Sequence, residues 1–280
     1  MFKTLNFILT HPLNRGRPIS TLARYASWQI RSRLQDEVVV DWIEGTRIVA
    51  RNGMTGATGN IYCGLHEFAD MAFVLHALGP DDLFVDVGAN IGSYSILASG
   101  VAGAQSIAIE PDPGTANSLA RNIEVNALAD KVEIVRTAVG AEEGEIVFTA
   151  GRDTMNRIAT STDKDRQVVP LRKLDNILEG KDPVVIKMDV EGFEREALRG
   201  ALESLKSPSL LAVQLETVDD ESRAWIEGAG FQAFSYDPQT RTLHEGGSLV
   251  MFNQLYVRGA QELAKRLQAA PKRRVIRSLI

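Results

Sequence analysis

The sequence predicts an α/β protein: a mainly parallel seven-stranded sheet with an antiparallel last strand, helices on both faces, and an N-terminal helix and β-hairpin in front. Three observations predict it. From Leu83 onward short apolar runs alternate with helical stretches, the rhythm of a parallel sheet covered on both faces. The first run, Leu83-Phe84-Val85, leads into Asp86-Val87-Gly88-Ala89-Asn90-Ile91-Gly92 and then Ser93-Tyr94-Ser95-Ile96-Leu97-Ala98, which reads as strand, glycine turn and helix. The last two runs, 231–236 and 252–257, leave no room for a crossover helix and should pair antiparallel.

In chain order, Ile19, Leu22, Ala23, Ala26, Ile30 and Leu34 recur every three or four residues. They predict an amphipathic helix over 18–34, with Tyr25 and Trp28 extending its apolar side. Residues 38–43 and 46–50, joined at Glu44-Gly45, predict a hairpin. The glycine-containing stretch 52–60 reads as a mobile loop leading to Ile61-Tyr62-Cys63, and 67–78 as a helix stopped by Gly79-Pro80. Strands are expected at 83–87, 106–109, 132–136, 184–188, 209–215, 230–236 and 252–258. Between Gly140 and Pro170 the rhythm breaks, and 145–148 with 167–169 flank a polar loop, an inserted hairpin of the kind that shapes a substrate side. This divides the chain into an N-terminal extension (1–60), a main domain (61–258) and a basic tail (259–280).

At 280 residues the chain can bury one large core. It contains no apolar run of the length a membrane span needs. The single cysteine, Cys63, leaves no intrachain disulfide and no CxxC pattern, so a reducing, cytoplasmic setting is expected. The net charge of −5 is unevenly spread: 1–34 carries six Lys or Arg and no acid, and 258–280 seven against Glu262 alone. An acidic middle argues against nucleic acid as a partner. The basic termini are expected to fold onto that acidic body, with at most weak peripheral membrane contact.

The chemistry-bearing residues gather at strand ends. Gly88 lets the backbone approach a ligand, and Glu110, closing the run Ile107-Ala108-Ile109, stands where an acid accepts both hydroxyls of a ribose. Asp86 ahead of the turn would repel a pyrophosphate but suits a cofactor carrying an ammonium group, such as S-adenosylmethionine. Val185-Ile186-Lys187-Met188 ends in Asp189 and Glu191, and 210–215 ends in Glu216, so three acids should share the mouth with Gly88 and Glu110. They can serve as bases, as hydroxyl acceptors or as ligands of a hard cation; a divalent metal is compatible with them but is not predicted.

Parallel strands finished by an antiparallel edge are the arrangement of class I (Rossmann-like) methyltransferases rather than of the all-parallel dinucleotide fold. Gly64-Leu65-His66-Glu67, the 85–95 stretch, Glu110-Pro111, Leu119 to Asn122 with Asn126, Leu174-Asp175 and Ile186 to Gly192 together resemble the FkbM-type methyltransferases over about 61–258. The resemblance implies an S-adenosylmethionine-dependent O-methyltransferase, with S-adenosylhomocysteine as product and a sugar, glycan or secondary-metabolite hydroxyl as acceptor. It implies that Asp86, Gly88, Ala89, Asn90, Gly92 and Tyr94 surround the methionine part, that Glu110 holds the ribose, and that Thr137 and Ala138 border the adenine. Glu67 would reach the amino end and Asp189 would face the methyl group. His66 stands where the family commonly has an aromatic residue. Asp189 or Glu191 leads as the base, Glu216 ends the next strand beside them, and His66 follows because imidazole titrates near neutrality. Acceptor specificity is expected in 52–67 and 150–166. The competing readings are an NAD(P)-dependent oxidoreductase and a catalytically silent cofactor-binding scaffold.

Overall fold

A computed structural model describes residues 2–149, 166–247, 249 and 251–280. The chain opens with α1 (Phe2–Thr10) and α2 (Pro18–Leu34), then the antiparallel hairpin β1 (Val38–Asp41) and β2 (Arg47–Ala50). Next come α3 (Thr55–Cys63), α4 (Phe68–Ala77), β3 (Leu83–Val87), α5 (Ser93–Ile96, continued by a π-helical turn Leu97–Ala102), β4 (Gln105–Ile109) and α6 (Pro113–Val125). They are followed by β5 (Val132–Val135), β6 (Ala138–Val139), β7 (Gly144–Thr149), β8 (Arg166–Arg172), α7 (Leu174–Ile177), β9 (Val185–Met188) and α8 (Glu194–Arg199). The chain closes with β10 (Ala212–Leu215), α9 (Asp220–Gly228), β11 (Gln232–Asp237), β12 (Thr242–Glu245), β13 (Gln254–Val257), α10 (Ala260–Ala269) and a small hairpin, β14 (Arg274–Val275) with β15 (Ser278–Leu279).

The main sheet has the order β12-β11-β13-β10-β9-β3-β4-β5. Strands β5, β4, β3, β9 and β10 run parallel, and β13 inserts between β10 and β11 antiparallel to both. This is the class I methyltransferase arrangement, with one strand more than the expected seven: β12 adds to the edge of β11. Side chains alternate across the sheet, as strand geometry requires. Phe84, Val185 and Leu255 pack into a core with α4 and α10, while Val85, Ile186 and Val213 pack into a second core with α8 and α9. α4 is buried from Asp70 to Ala77, so it reads as apolar all round rather than striped.

Several expectations are corrected. The stretch 52–60, expected as a mobile loop, contributes most of the helix α3, although Gly56 and Gly59 lower helix propensity. A methylene at Gly59 would meet the His66 ring, so tertiary packing selects glycine and holds the helix. Helix α2 has its expected ends but the opposite rotation: Thr21, Trp28 and Ser32 are buried, and Ile19, Leu22, Ile30 and Leu34 are exposed. Trp28 therefore does not extend the apolar stripe, and Tyr25 turns away from it to stack near Tyr62. The basic C-terminal segment, by contrast, folds onto the body of the protein as expected. Leu263 and Leu267 of α10 are fully buried, Arg266 makes a two-point ion pair with Asp82 (3.0 and 2.9 Å), and Arg273 pairs with Glu44 at 2.8 Å.

The β1–β2 hairpin docks on α6 through two asparagines one helical turn apart. Asn122 accepts from the Val49 N–H (2.7 Å), and Asn126 accepts from the Arg47 N–H (2.7 Å) and donates to its carbonyl (2.8 Å). Their carboxamides act as a surrogate strand edge. The inserted hairpin is present as β7 against β8, with β6 on the other side of β8, forming a separate three-stranded sheet. The polar loop between its strands lies outside the described residues.

Candidate active site

Sheet order reverses between β3 and β9: the chain runs from β3 outward through β4 and β5, then returns to β9 and runs the other way. Such a switch point opens a crevice beyond the carboxyl ends of the strands. A cavity of about 330 Å³ lies there. Its lining includes every residue expected at the site except Gly92: His66 and Glu67 before α4, Asp86, Gly88, Ala89 and Asn90 from the β3 turn, Tyr94 of α5, Glu110 after β4, Thr137 and Ala138 after β5, Asp189 and Glu191 after β9, and Glu216 after β10.

The turn after β3 owes its shape to two glycines. Gly88 has φ +78°, and a Cβ there would fall on the Asp189 carbonyl oxygen, so the glycine serves the close approach of two loops. Gly92, at φ +88°, starts α5, and a Cβ there would strike Leu119. Gly92 is thus a packing glycine beside the cavity. We expect Gly88→Ala to destabilise the protein by about 3 kcal/mol or more, because steric overlap adds to positive-φ strain. Urea unfolding checks this; a midpoint equal to wild type would refute it.

Each carboxylate in the cavity has a distinct setting. Glu110 is buried; its Oε2 accepts from the Asn90 N–H at 3.0 Å and its Oε1 from the Asp112 N–H at 2.9 Å. Burial pushes its carboxyl up to about 7 against those two hydrogen bonds. Asp86 is 1% exposed; Ser95 donates to its Oδ2 at 2.7 Å, and its Oδ1 has no hydrogen-bond partner. Burial raises its pKa, and nearby Lys187 opposes that rise.

Lys187, whose flanking strand places it on the cavity face, is 2% exposed and donates to Asp189 Oδ2 at 2.8 Å. Its ammonium lies 4.7 Å from the Tyr94 ring centroid, and the Tyr94 hydroxyl donates to Glu67 Oε2. Burial works against the ammonium, but Asp189, Asp86 and Glu67 outweigh it and raise the Lys187 pKa.

At the mouth, Glu216 is raised to about 7, first by partial burial and then by repulsion from Asp189, Glu191 and Glu194. Glu191 is raised by partial burial and by Asp189 and Glu194. The Asp189–Gly192 loop takes positive φ at Glu191 (+52°) and Gly192 (+87°). Glu194, buried and not anticipated as a site residue, holds it: Oε1 accepts from Val190 N and Gly192 N (3.1 and 3.2 Å), and Oε2 from Thr217 Oγ1 (2.7 Å).

His66 sits with the site but is built in as packing. Its ring contacts Phe7 and Phe252, its backbone N–H donates to Asn60 Oδ1 at 2.9 Å, and its ring Nδ1 is buried without a partner. Burial lowers its pKa. Thr137, which lines the cavity, donates its hydroxyl to the Pro170 carbonyl (2.9 Å) and so ties the cavity edge to β8. Sequence reasoning also missed Asn60, Phe148 and Phe193, which line the cavity from α3, β7 and the β9 loop. Phe148 was visible only as part of a strand-like insertion. Among the described residues no group of three or more His, Cys, Asp or Glu is arranged to hold a metal ion.

The family described as methyltransferase FkbM domain matches residues 86–233, over half of the chain and spanning the glycine turn, Glu110, Asp189 and Glu216. The chain belongs to the FkbM methyltransferase family. A curated relative, the hexuronic acid methyltransferase AglP of Haloferax volcanii, is 28% identical over 138 residues, covering 48% of this chain and 56% of the relative. This FkbM-family chain therefore spans little more than half the length of that relative. A solved methyltransferase FkbM from Methylobacillus flagellatus KT is 18% identical with a TM-score of 0.44, covering 65% of this chain and 47% of that one. A SAM-dependent methyltransferase from Agrobacterium tumefaciens is 11% identical with a TM-score of 0.46, covering 79% and 69%. No helix among the described residues is long and apolar enough to cross a membrane.

Proposed function

We propose that this chain transfers a methyl group from S-adenosylmethionine to a hydroxyl of a sugar, glycan or related small molecule. The observation that carries this reading is the pairing, in one cavity, of a buried carboxylate oxygen without a partner (Asp86 Oδ1) and a buried carboxylate at the next strand end (Glu110). The residues fit the cofactor. Asp86 and Glu67 supply negative charge for its ammonium group. Each Glu110 oxygen accepts one backbone N–H and keeps a lone pair for a ribose hydroxyl. Ala138, Val139 and Phe148 give an apolar edge for a purine. Family membership supports methyl transfer, and the hexuronic acid named for the relative supports a sugar acceptor.

When bound, S-adenosylmethionine supplies an electrophilic methyl group on a sulfonium; what remains for the protein is alignment, exclusion of water and acceptance of one proton. Asp189 faces the crevice, oriented by Lys187. Glu216, beside Asp189 and raised to about 7, is assigned as the base, since a proton acceptor works best with a pKa near the operating pH. His66 is not assigned that role, because packing on Phe7 and Phe252 holds its ring and its lowered pKa makes it a weaker base.

Calorimetry with S-adenosylmethionine and, separately, NAD⁺ tests the reading; binding of NAD⁺ alone would refute it. Glu110→Gln should weaken S-adenosylmethionine binding by roughly a hundredfold, about 3 kcal/mol for two hydrogen bonds to a charged group. Wild-type affinity should rise with pH through about 7, because the ionised Glu110 is the form that accepts from both hydroxyls. A flat profile would remove Glu110 from the ribose. Methyl transfer itself is read by mass spectrometry of a glycan pool incubated with labelled cofactor.

A further inference from the structure

We propose that the outward face of α2, with its flanking arginines, seats this protein on the surface of an anionic lipid bilayer. The helix is docked inside out. Ile19, Leu22, Ile30 and Leu34 lie on one side of a helix of 3.6 residues per turn, and they are 85, 43, 60 and 79% exposed. The opposite side carries Thr21, Trp28 and Ser32, all buried.

This rotation is held by specific anchors. The Arg24 guanidinium donates to the Tyr62 carbonyl (3.0 Å) and to Asn14 Oδ1 (2.5 Å), and Gln29 donates to the Tyr62 hydroxyl (2.9 Å). The inward face is therefore chosen by polar contacts to α3 and to the segment after α1. The aliphatic side chains are left in water, where a contiguous apolar patch marks an interaction surface.

Charge identifies the occupant. Residues 1–34 contain six Lys or Arg and no acid. Among the described residues none of Lys3, Arg15, Arg31 and Arg33 forms an ion pair. Arg31 donates to the Val39 carbonyl (2.9 Å), and Arg33 to the Gln29 side chain (2.8 Å), so both are held beside the stripe by neutral acceptors. Val39 adds a further exposed apolar side chain beside Arg31.

An apolar stripe framed by arginines matches the boundary between acyl chains and anionic headgroups. A second copy laid on the same face would bring arginine against arginine. A nucleic acid would meet aliphatic side chains where it needs phosphate donors. α3 separates this face from the candidate active site, its Asn60 lining both that site and the groove beside α2.

The test is sedimentation of the full chain with sucrose-loaded vesicles of phosphatidylcholine, with and without phosphatidylserine. Wild type should sediment with the phosphatidylserine vesicles and be released by high salt. The triple variant Ile19→Gln, Leu22→Gln, Ile30→Gln should lower the partition coefficient about tenfold or more, because its apolar contact with the acyl region is lost. Arg31→Gln with Arg33→Gln should lower it on anionic vesicles alone. All five positions are exposed, so circular dichroism and Tm should match wild type and separate loss of binding from loss of fold. The proposal is overturned if wild type stays in the supernatant or if the triple variant binds as wild type does. It is equally overturned if sedimentation velocity shows a dimer that the triple variant dissolves.

Discussion

Lys187→Met is expected to destabilise the protein by about 3–5 kcal/mol at pH 7.5, the cost of stranding buried charge when one partner of an ion pair is removed. Lys187 is 2% exposed and faces Asp86, Asp189 and Glu67, while Asp86 itself is 1% exposed. Methionine fills much of the same volume, so the loss comes from charge rather than from a cavity. Urea unfolding should show a lower midpoint with an unchanged slope. The loss should shrink as pH falls. Without the ammonium, the Asp86 pKa in the folded state rises further above its unfolded value, so the folded variant takes up protons more readily and gains stability on acidification. A deficit that stays constant from pH 7.5 to pH 5 would show that Asp86 does not depend on Lys187.

Glu216→Gln is expected to lower kcat for methyl transfer by about 10²–10⁴, the usual contribution of a positioned proton acceptor. Its effect on cofactor affinity should be below tenfold, since Glu216 sits at the mouth beyond β10. In wild type the rate should rise through about pH 7 as Glu216 loses its proton, and in the glutamine variant that limb should vanish. Asp189→Asn gives a distinguishing result. It removes a neighbouring negative charge that helps to raise Glu216, so the limb should move to lower pH rather than disappear. If both variants keep the wild-type profile, the proton goes to another group.

Much of this site was readable because strand ends, glycine turns and charge-bearing residues coincide in the sequence. Glu110, Asp189 and Glu216 follow β4, β9 and β10 directly, and parallel strand ends share one mouth. Other parts depend on contacts that periodicity does not encode. The stripe on α2 names an apolar face, but the side that turns inward is decided by Arg24 and Gln29 reaching Tyr62. α3 is unreadable from propensity because Gly59 is required by the His66 ring. Glu194 looks like an ordinary first-turn acid, and its function emerges only once Glu191 and Gly192 adopt positive φ and point their loop's N–H groups at it. β12 is four residues between two turns, too short and too polar to announce itself.

The separate sheet of β6, β8 and β7 carries a consequence for how such a protein can change. It lends the cavity Phe148, while its described polar ties to the main body run through a few bonds, among them Thr137 to Pro170 and Gln167 to Asp112. One wall can therefore be resurfaced by substitution without disturbing the register of the eight-stranded sheet beneath. The apolar edge and the buried carboxylates of one cavity thus stand on two different sheets, joined where Gln167 reaches Asp112, whose N–H in turn holds Glu110.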